Sequence, residues 1–265
     1  MQLLEKEKEY QYFKKKVFEL TQIDLNSYKT HQIQRRLPYI IGQAGVEDYI
    51  SYVKILENDP IQLKRFVDWV TINVSEFFRD LKKFEELRDE ILPHLLRKSP
   101  RLKIWSAGCS NGAEPYTIAI ILDELTPGLK HKIIATDLDE KILDVARNGR
   151  YPMKELRNVV PRLLNKFFVV DGDEAGLKGE IKERVDFKKH DLFKDEYETN
   201  FDLIICRNVV IYFTEESKCK IYRKFYDSLK AGGLLFTGST ESLMGGAAAF
   251  GFEMFLPFFY LKPSK

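Results

Sequence analysis

Histidine, cysteine and tryptophan are scarce here, at 4, 3 and 2 among 265 residues. Cys109, Cys206 and Cys219 are odd in number and widely spaced, with no CxxC pair to begin a zinc site, so reduced thiols and no metal are expected. The four histidines enter no recognisable Ser-His-Asp or Cys-His arrangement, which agrees with chemistry that needs no general base. An excess of one charge is also missing. The 42 basic and 40 acidic residues leave a net charge of +2, so no global field favours nucleic acid or an anionic membrane. No stretch approaches 18 consecutive apolar residues, and the opening MQLLEKEKEYQYFKKK carries charge where a signal peptide needs an apolar core. A cytoplasmic protein without membrane insertion is expected.

What is present is an ordinary globular balance, 44% hydrophobic and 31% charged, in a chain long enough for two domains. From Leu3 to Leu95 apolar residues recur at helical spacing, as in Phe13, Val17 and Leu20. Asp24 precedes an expected helix from Leu25 to Ile41, Gly42 and Gly45 follow it, and Pro60 begins another. Beyond Pro100 short apolar runs alternate with helices: LKIWSAG at 102–108, HKIIATD at 131–137, FDLIICRN at 201–208 and GGLLFTGS at 232–239. An amphipathic helix from about Thr214 to Lys230 lies between the last two. This alternation predicts a Rossmann-like, doubly wound α/β sheet. The long gap before FDLIICRN implies an insertion at about 165–190, where FFVVDGDEAGLKGEIKERVDFKK suggests a small antiparallel β-subdomain. The closing LPFFYLK suggests an antiparallel edge strand. The expected division is an all-α domain over 1–80, a linker helix over 81–99 and an α/β domain over 100–265.

The first strand runs into Gly108-Cys-Ser-Asn-Gly112 and a helix opening Ala113-Glu114-Pro115. Such a turn suits a nucleotide, and it is equally compatible with a plain structural turn. It lacks the GxGxxG fingerprint of dinucleotide sites, so a phosphate-free nucleotide fits better and a dehydrogenase is disfavoured. Asp137 closes the second strand, where its carboxylate could accept from both ribose hydroxyls. The alternative is a helix N-cap, a role Asp139 could equally serve.

TINVSEFFRD, WSAGCSNGAEPYTIA, ATDLDEKIL, FDLIICRNVVIYF and GGLLFTGSTESL stand together in the order found in chemotaxis receptor methyltransferases, and the chain closely resembles that CheR-type family over nearly its whole length. The resemblance implies an S-adenosylmethionine methyltransferase sheet, with S-adenosylhomocysteine as product. It places Arg79 on the methionine carboxylate, where a guanidinium fork suits it. It adds hydrogen bonds from Asn73 and Ser75, and sets Gly108, Glu114 and Asp137 around the amino-acid end and ribose. Glu114 could instead serve its own helix as a first-turn acid. Asp191 and Leu192 would lie beside the adenine, and Arg207 and Asn208 would line the pocket. Relatives often carry Asn at position 191; Asp cannot donate to a ring nitrogen, though the Leu192 amide can. Gly238-Ser-Thr-Glu241 departs from the family's GHSE, and none of its four residues is given a role.

The implied reaction is an in-line attack by a receptor glutamate, already ionised at neutral pH, so alignment and water exclusion replace a general base. Arg79 and Tyr212 are the expected catalytic residues. Tyr212 would stand nearest the methyl, or else be a half-buried aromatic. Substrate would be the Glu- and Gln-rich cytoplasmic helices of chemoreceptors, met by Lys29, Arg35 and Arg36 with His31 extending the face. Tyr39 and Ile40 stand where some relatives are basic, which thins that patch. Some relatives tether a receptor tail on the β-subdomain edge; the short Asp171–Gly176 turn predicts recognition without a tether. A monomer recruited to membrane-bound receptor arrays is expected. The alternatives are a methyltransferase of another signalling protein and a non-catalytic cofactor-sensing adaptor. A nucleic-acid methyltransferase is disfavoured because Arg207-Asn-Val-Val replaces an NPPY-like tetrapeptide.

Overall fold

The computed structural model describes residues 2–71, 75–243 and 245–264, and separates into two compact units. One comprises Met1–Ile72 and Ile211–Lys218, the other Asn73–Val210 and Cys219–Lys265.

The smaller unit is helical: α1 (Gln2–Thr21), α2 (Thr30–Gln43), α3 (Tyr49–Asn58) and α4 (Pro60–Thr71). The spacing of Tyr10, Phe13 and Val17 puts all three on one face of α1, where they are buried with Tyr52 and Phe66. Phe13 meets Phe66 edge-on at 5.7 Å. The helix expected from Leu25 begins later. Asp24 caps only a 3₁₀ turn over Leu25–Ser27, accepting from the Asn26 amide at 2.9 Å. Tyr28 is then extended and pairs with Phe213, the two rings 5.1 Å apart. That pairing removes residues 28 and 29 from the helix, so Lys29 becomes the residue before α2 rather than part of it.

The larger unit opens with α5 (Leu81–Glu86), a wider turn over Leu87–Ile91 and α6 (Leu92–Lys98). Phe84, Leu87, Ile91, Leu92 and Leu95 are buried in the same core as the sheet, so the stretch expected as a linker is part of this unit's interior. There follow β1 (Lys103–Ala107), α7 (Ala113–Leu125), β2 (Lys132–Asp137), α8 (Glu140–Asn148), β3 (Arg150–Pro152), α9 (Pro161–Phe167), β4 (Phe168–Asp171), β5 (Glu174–Leu177), α10 (Gly179–Lys182), β6 (Val185–Lys189) and β7 (Phe201–Cys206). After α11 (Glu215–Ser228) come β8 (Leu229–Thr237), β9 (Glu253–Leu256) and β10 (Phe259–Leu261).

Among the described residues the large sheet has the order β6-β2-β1-β7-β8-β10-β9. It is parallel from β6 to β8, and β10 and β9 are antiparallel additions. Every residue of β7 is buried, as a central parallel strand covered on both faces requires. Strand order reverses between β1 and β7, so a ligand crevice is expected at the carboxyl ends of those two strands.

Two expectations need correcting. The small sheet has the order β3-β5-β4 and begins at Arg150, whereas β6 is not part of it. Val185 and Phe187 alternate with exposed neighbours because β6 is the outer strand of the large sheet, paired with β2, and that alternation imitates a hairpin arm. The closing segment is also not the edge. β10 lies between β8 and β9, since the chain turns at Pro257 and Phe258 and places β9 outermost.

Candidate functional site

Left-handed backbone is costly for residues with a Cβ, and in the larger unit it concentrates where the parallel strands end. Ser110 (φ 51°) and Asn208 (φ 60°) follow β1 and β7, while Phe78 (φ 53°) and Asp80 (φ 62°) lie just before α5. Gly108 (φ 75°) and Gly112 (φ 85°) bracket the turn after β1. A Cβ on Gly108 would stand 2.4 Å from Val209 Cγ2, so glycine is required there by packing as well as by dihedral. Its amide donates to Thr136 O at 2.8 Å, which fastens the turn to β2.

Asp137 ends β2 and is buried. Its Oδ2 accepts from the Ser110 amide at 2.8 Å and its Oδ1 from the Asp139 amide at 3.1 Å. Asp139, not Asp137, caps α8, accepting from Lys141 N at 3.0 Å. Of the two readings of Asp137, the helix cap therefore falls. Burial raises its pKa above the ordinary aspartate value, against the opposing effect of the two amides. Each carboxylate oxygen keeps a second lone pair for a further donor.

Glu114 stands in the first turn of α7, yet its carboxylate reaches β1, where Ser106 Oγ donates to Oε1 at 2.8 Å. Arg207 Nη1 lies 3.6 Å from its Oε2. Burial pushes this carboxyl up, and Arg207 and Ser106 pull it down. The Arg207 side chain is only 2% exposed and lies over the rings of Phe84 and Phe236. Its Nη2 donates to Asp80 Oδ2 at 2.6 Å and to Arg79 O at 3.1 Å. Arg207 thus holds together the Arg79–Asp80 corner and Glu114. The corner is also held by Phe77 N donating to Glu155 O at 3.0 Å and Phe78 N donating to Thr117 Oγ1 at 3.2 Å.

Asp191 and Leu192 follow β6. The His190 amide donates to Asp137 O at 2.9 Å and brings this turn beside the end of β2. Asp191 Oδ1 accepts from Phe193 N at 2.8 Å, and Leu192 is buried. Ser75 is half-buried, and Asn73 lies outside the described residues. Arg79, Gly108, Glu114, Asp137, Arg207 and Asn208 are thus drawn to the carboxyl ends of β1, β2 and β7 from across the sequence.

Five expected residues belong to the smaller unit. Tyr212 is half-buried, and its carbonyl accepts from the Lys29 amide at 2.8 Å. Lys29 Nζ lies 3.8 Å from Glu215, and its pKa is lowered by burial and by nearby Lys218. Arg35 and His31 are exposed, whereas Arg36 is turned inward. Its guanidinium donates to Trp69 O at 2.8 Å and covers the Trp69 ring at 4.5 Å, so much of its role is internal.

Residues without an expected role also enter. Asn111 Oδ1 accepts from Ala113 N at the start of α7, while its Nδ2 donates to Glu155 at 2.7 Å. Glu241 is buried and accepts from Asn208 N at 2.6 Å. Its sequence signal was its place in the quoted GSTESL segment. Among the described residues no group of His, Cys, Asp or Glu side chains could hold a metal ion, and no helix is long and apolar enough to cross a membrane.

Residues 73–254 match the family model described as CheR methyltransferase, SAM binding domain, and residues 8–71 match its all-alpha domain. A chemotaxis protein methyltransferase of Listeria innocua is 38% identical over 257 residues, covering 97% of this chain and 98% of its own. That of Borreliella burgdorferi is 35% identical, covering 91% and 89%. That of Escherichia coli is 34% identical, covering 85% and 81%.

Proposed function

Because the chain belongs to the CheR methyltransferase family, with its larger unit the S-adenosylmethionine-binding domain, we propose that it methylates glutamate side chains of bacterial chemoreceptors in chemotaxis. The observation that carries this reading is the gathering of two carboxylates, buried Asp137 and nearly buried Glu114, at the carboxyl ends of adjacent parallel strands, without a phosphate-binding glycine motif. Such a set of acceptors fits the hydroxyls of an uncharged ribose and a cationic amino-acid end. Names of the relatives supply the chemotaxis context.

When bound, S-adenosylmethionine supplies an electrophilic methyl on a sulfonium. Asp137 holds the ribose hydroxyls with the lone pairs its backbone partners leave. Arg79 receives the methionine carboxylate, with Asn73 and Ser75 beside it, and Glu114 faces the ammonium or the ribose. Gly108, Asp191 and Leu192 shape the adenosine side, the Leu192 amide donating to the adenine ring. Arg207 and Asn208 form the end of β7. Tyr212 aligns the incoming carboxylate, and Lys29 and Arg35 recognise the acidic receptor helix, with Arg36 supporting that face. No side chain needs to remove a proton, since the nucleophile is already ionised at neutral pH. Rate comes from alignment and from shielding the carboxylate from water.

The test is incubation with methyl-labelled S-adenosylmethionine and chemoreceptor-containing membranes. Base-labile receptor label that disappears with Arg79→Ala or Asp137→Ala in folded protein is the expected result. Cofactor binding with no receptor labelled would transfer the activity to another protein substrate, or leave a cofactor-sensing adaptor.

A further inference from the structure

Asn208 adopts a left-handed backbone directly after the last paired residues of β7 and β8, Cys206 and Thr237. Asparagine reaches that conformation more readily than most residues with a Cβ, and here its amide is also fixed by a single atom. Oε2 of Glu241 accepts from the Asn208 amide at 2.6 Å and from the Gly238 amide at 2.8 Å. These are charge-assisted bonds from a carboxylate only 4% exposed, and they continue the tie between β7 and β8 past their ladder.

The main chain of Glu241 is itself anchored to the end of β8. The Glu241 amide donates to Gly238 O at 2.9 Å, and Thr237 Oγ1 donates to Glu241 O at 2.9 Å. A Cβ on Gly238 would fall 2.5 Å from Glu241 Oε2 and 3.0 Å from Asn208 N, so glycine leaves the space the carboxylate fills. Gly238, Glu241 and Asn208 form one interlocked corner.

We propose that Glu241 is a positioning residue for cofactor binding: one carboxylate oxygen, shared between the Asn208 and Gly238 amides, fixes the end of β7 in its cofactor-facing conformation. This rests on the reading that Asn208 faces S-adenosylmethionine. Glu241 touches no reacting atom and acts through Asn208.

Calorimetric titration with S-adenosylhomocysteine, alongside thermal unfolding and amide proton spectra of the full chain, tests the assignment. Glu241→Ala weakens cofactor binding about 10- to 100-fold, the usual effect of losing hydrogen bonds to a buried charged acceptor. Glu241→Gln keeps an oxygen at the same place and restores most of the affinity, while the Asn208 and Gly238 amide resonances shift upfield together. A folded Glu241→Ala protein that binds as tightly as the unaltered one overturns the proposal. Should the alanine variant not fold, the glutamine variant decides: paired movement of the two amide resonances supports the shared acceptor, and unmoved resonances overturn it. Asp137→Ala and Asn208→Ala run in parallel. If both bind normally, the cofactor placement itself fails, and the positioning role fails with it. If both are weakened while Glu241→Ala is not, only the positioning role is lost.

Discussion

Arg207 and Asp80 meet at 2.6 Å across 127 positions of sequence, a buried guanidinium gripping a left-handed residue whose carboxylate is 42% exposed. The same Arg207 lies 3.6 Å from Glu114, whose side chain is 13% exposed. Loss of the arginine leaves nearly buried Glu114 without that cation, whereas loss of Asp80 leaves Arg207 still bonded to Arg79 O and beside Glu114. Arg207→Ala should cost about 3–5 kcal/mol, the range for breaking a buried pair. Asp80→Ala should cost about 1 kcal/mol or less through the ion pair itself. Urea unfolding of both variants checks the asymmetry.

Burial raises the folded-state pKa of Glu114 above its unfolded value. An acid raised in this way binds its proton more tightly when folded. Its contribution is fully present below the unfolded pKa and is lost as pH rises through the folded one. Glu114→Gln should therefore flatten the fall in melting temperature from the ordinary glutamate pKa upward. Scanning calorimetry of both proteins across that interval measures the difference, and parallel curves would refute it.

Two glycines should respond oppositely to alanine. At Gly42, inside α2, an added Cβ meets nothing within 4 Å. Alanine there should stabilise by about 0.5–1 kcal/mol through helix propensity and a less flexible unfolded chain. At Gly112, φ is 85° and the Cβ would stand 2.8 Å from Ala146 Cβ. Alanine there should cost about 2–4 kcal/mol from left-handed strain and overpacking. Thermal melts of the two variants are sufficient.

Neighbouring arginines on α2 should separate binding from stability. Arg35→Glu alters an exposed charge and should reduce methyl transfer to receptors, while leaving cofactor affinity and melting temperature unchanged. Arg36→Ala removes both the bond to Trp69 O and the cover on its ring, and should cost about 1–2 kcal/mol. Labelling assays paired with melting curves distinguish the two.

How much was legible from sequence follows from the range of each interaction. β7 was legible because burial on both faces demands the unbroken apolar run FDLIIC. β6 was not, since an outer strand alternates exactly as a half-exposed hairpin arm does at the level of residue pattern. The Asp24 cap was read correctly as a signal but closes only a 3₁₀ turn, because Phe213, far along the chain, draws Tyr28 into a strand pair. The places of Gly108 and Asp137 at the sheet's carboxyl edge were legible because one follows β1 directly and the other closes β2. The commitment of Arg207 to Asp80 and of Glu241 to Asn208 was not, since neither partner is near in sequence and the second is a backbone amide.

The return of Ile211–Lys218 to the helical unit also shapes how the chain must assemble. Tyr28 pairs with Phe213, and the amide of Thr214 donates to Ser27 O at 2.9 Å, so residues 1–72 made alone would lack their closing seam. On a ribosome the four helices emerge first, but their last partner follows only after the parallel strands up to β7 have been synthesised. At about 5–20 residues per second the wait is roughly 7–28 s. Throughout it the underside of Tyr28 stays uncovered, so this stretch is where a nascent chain would be most exposed to chaperones and to mispairing.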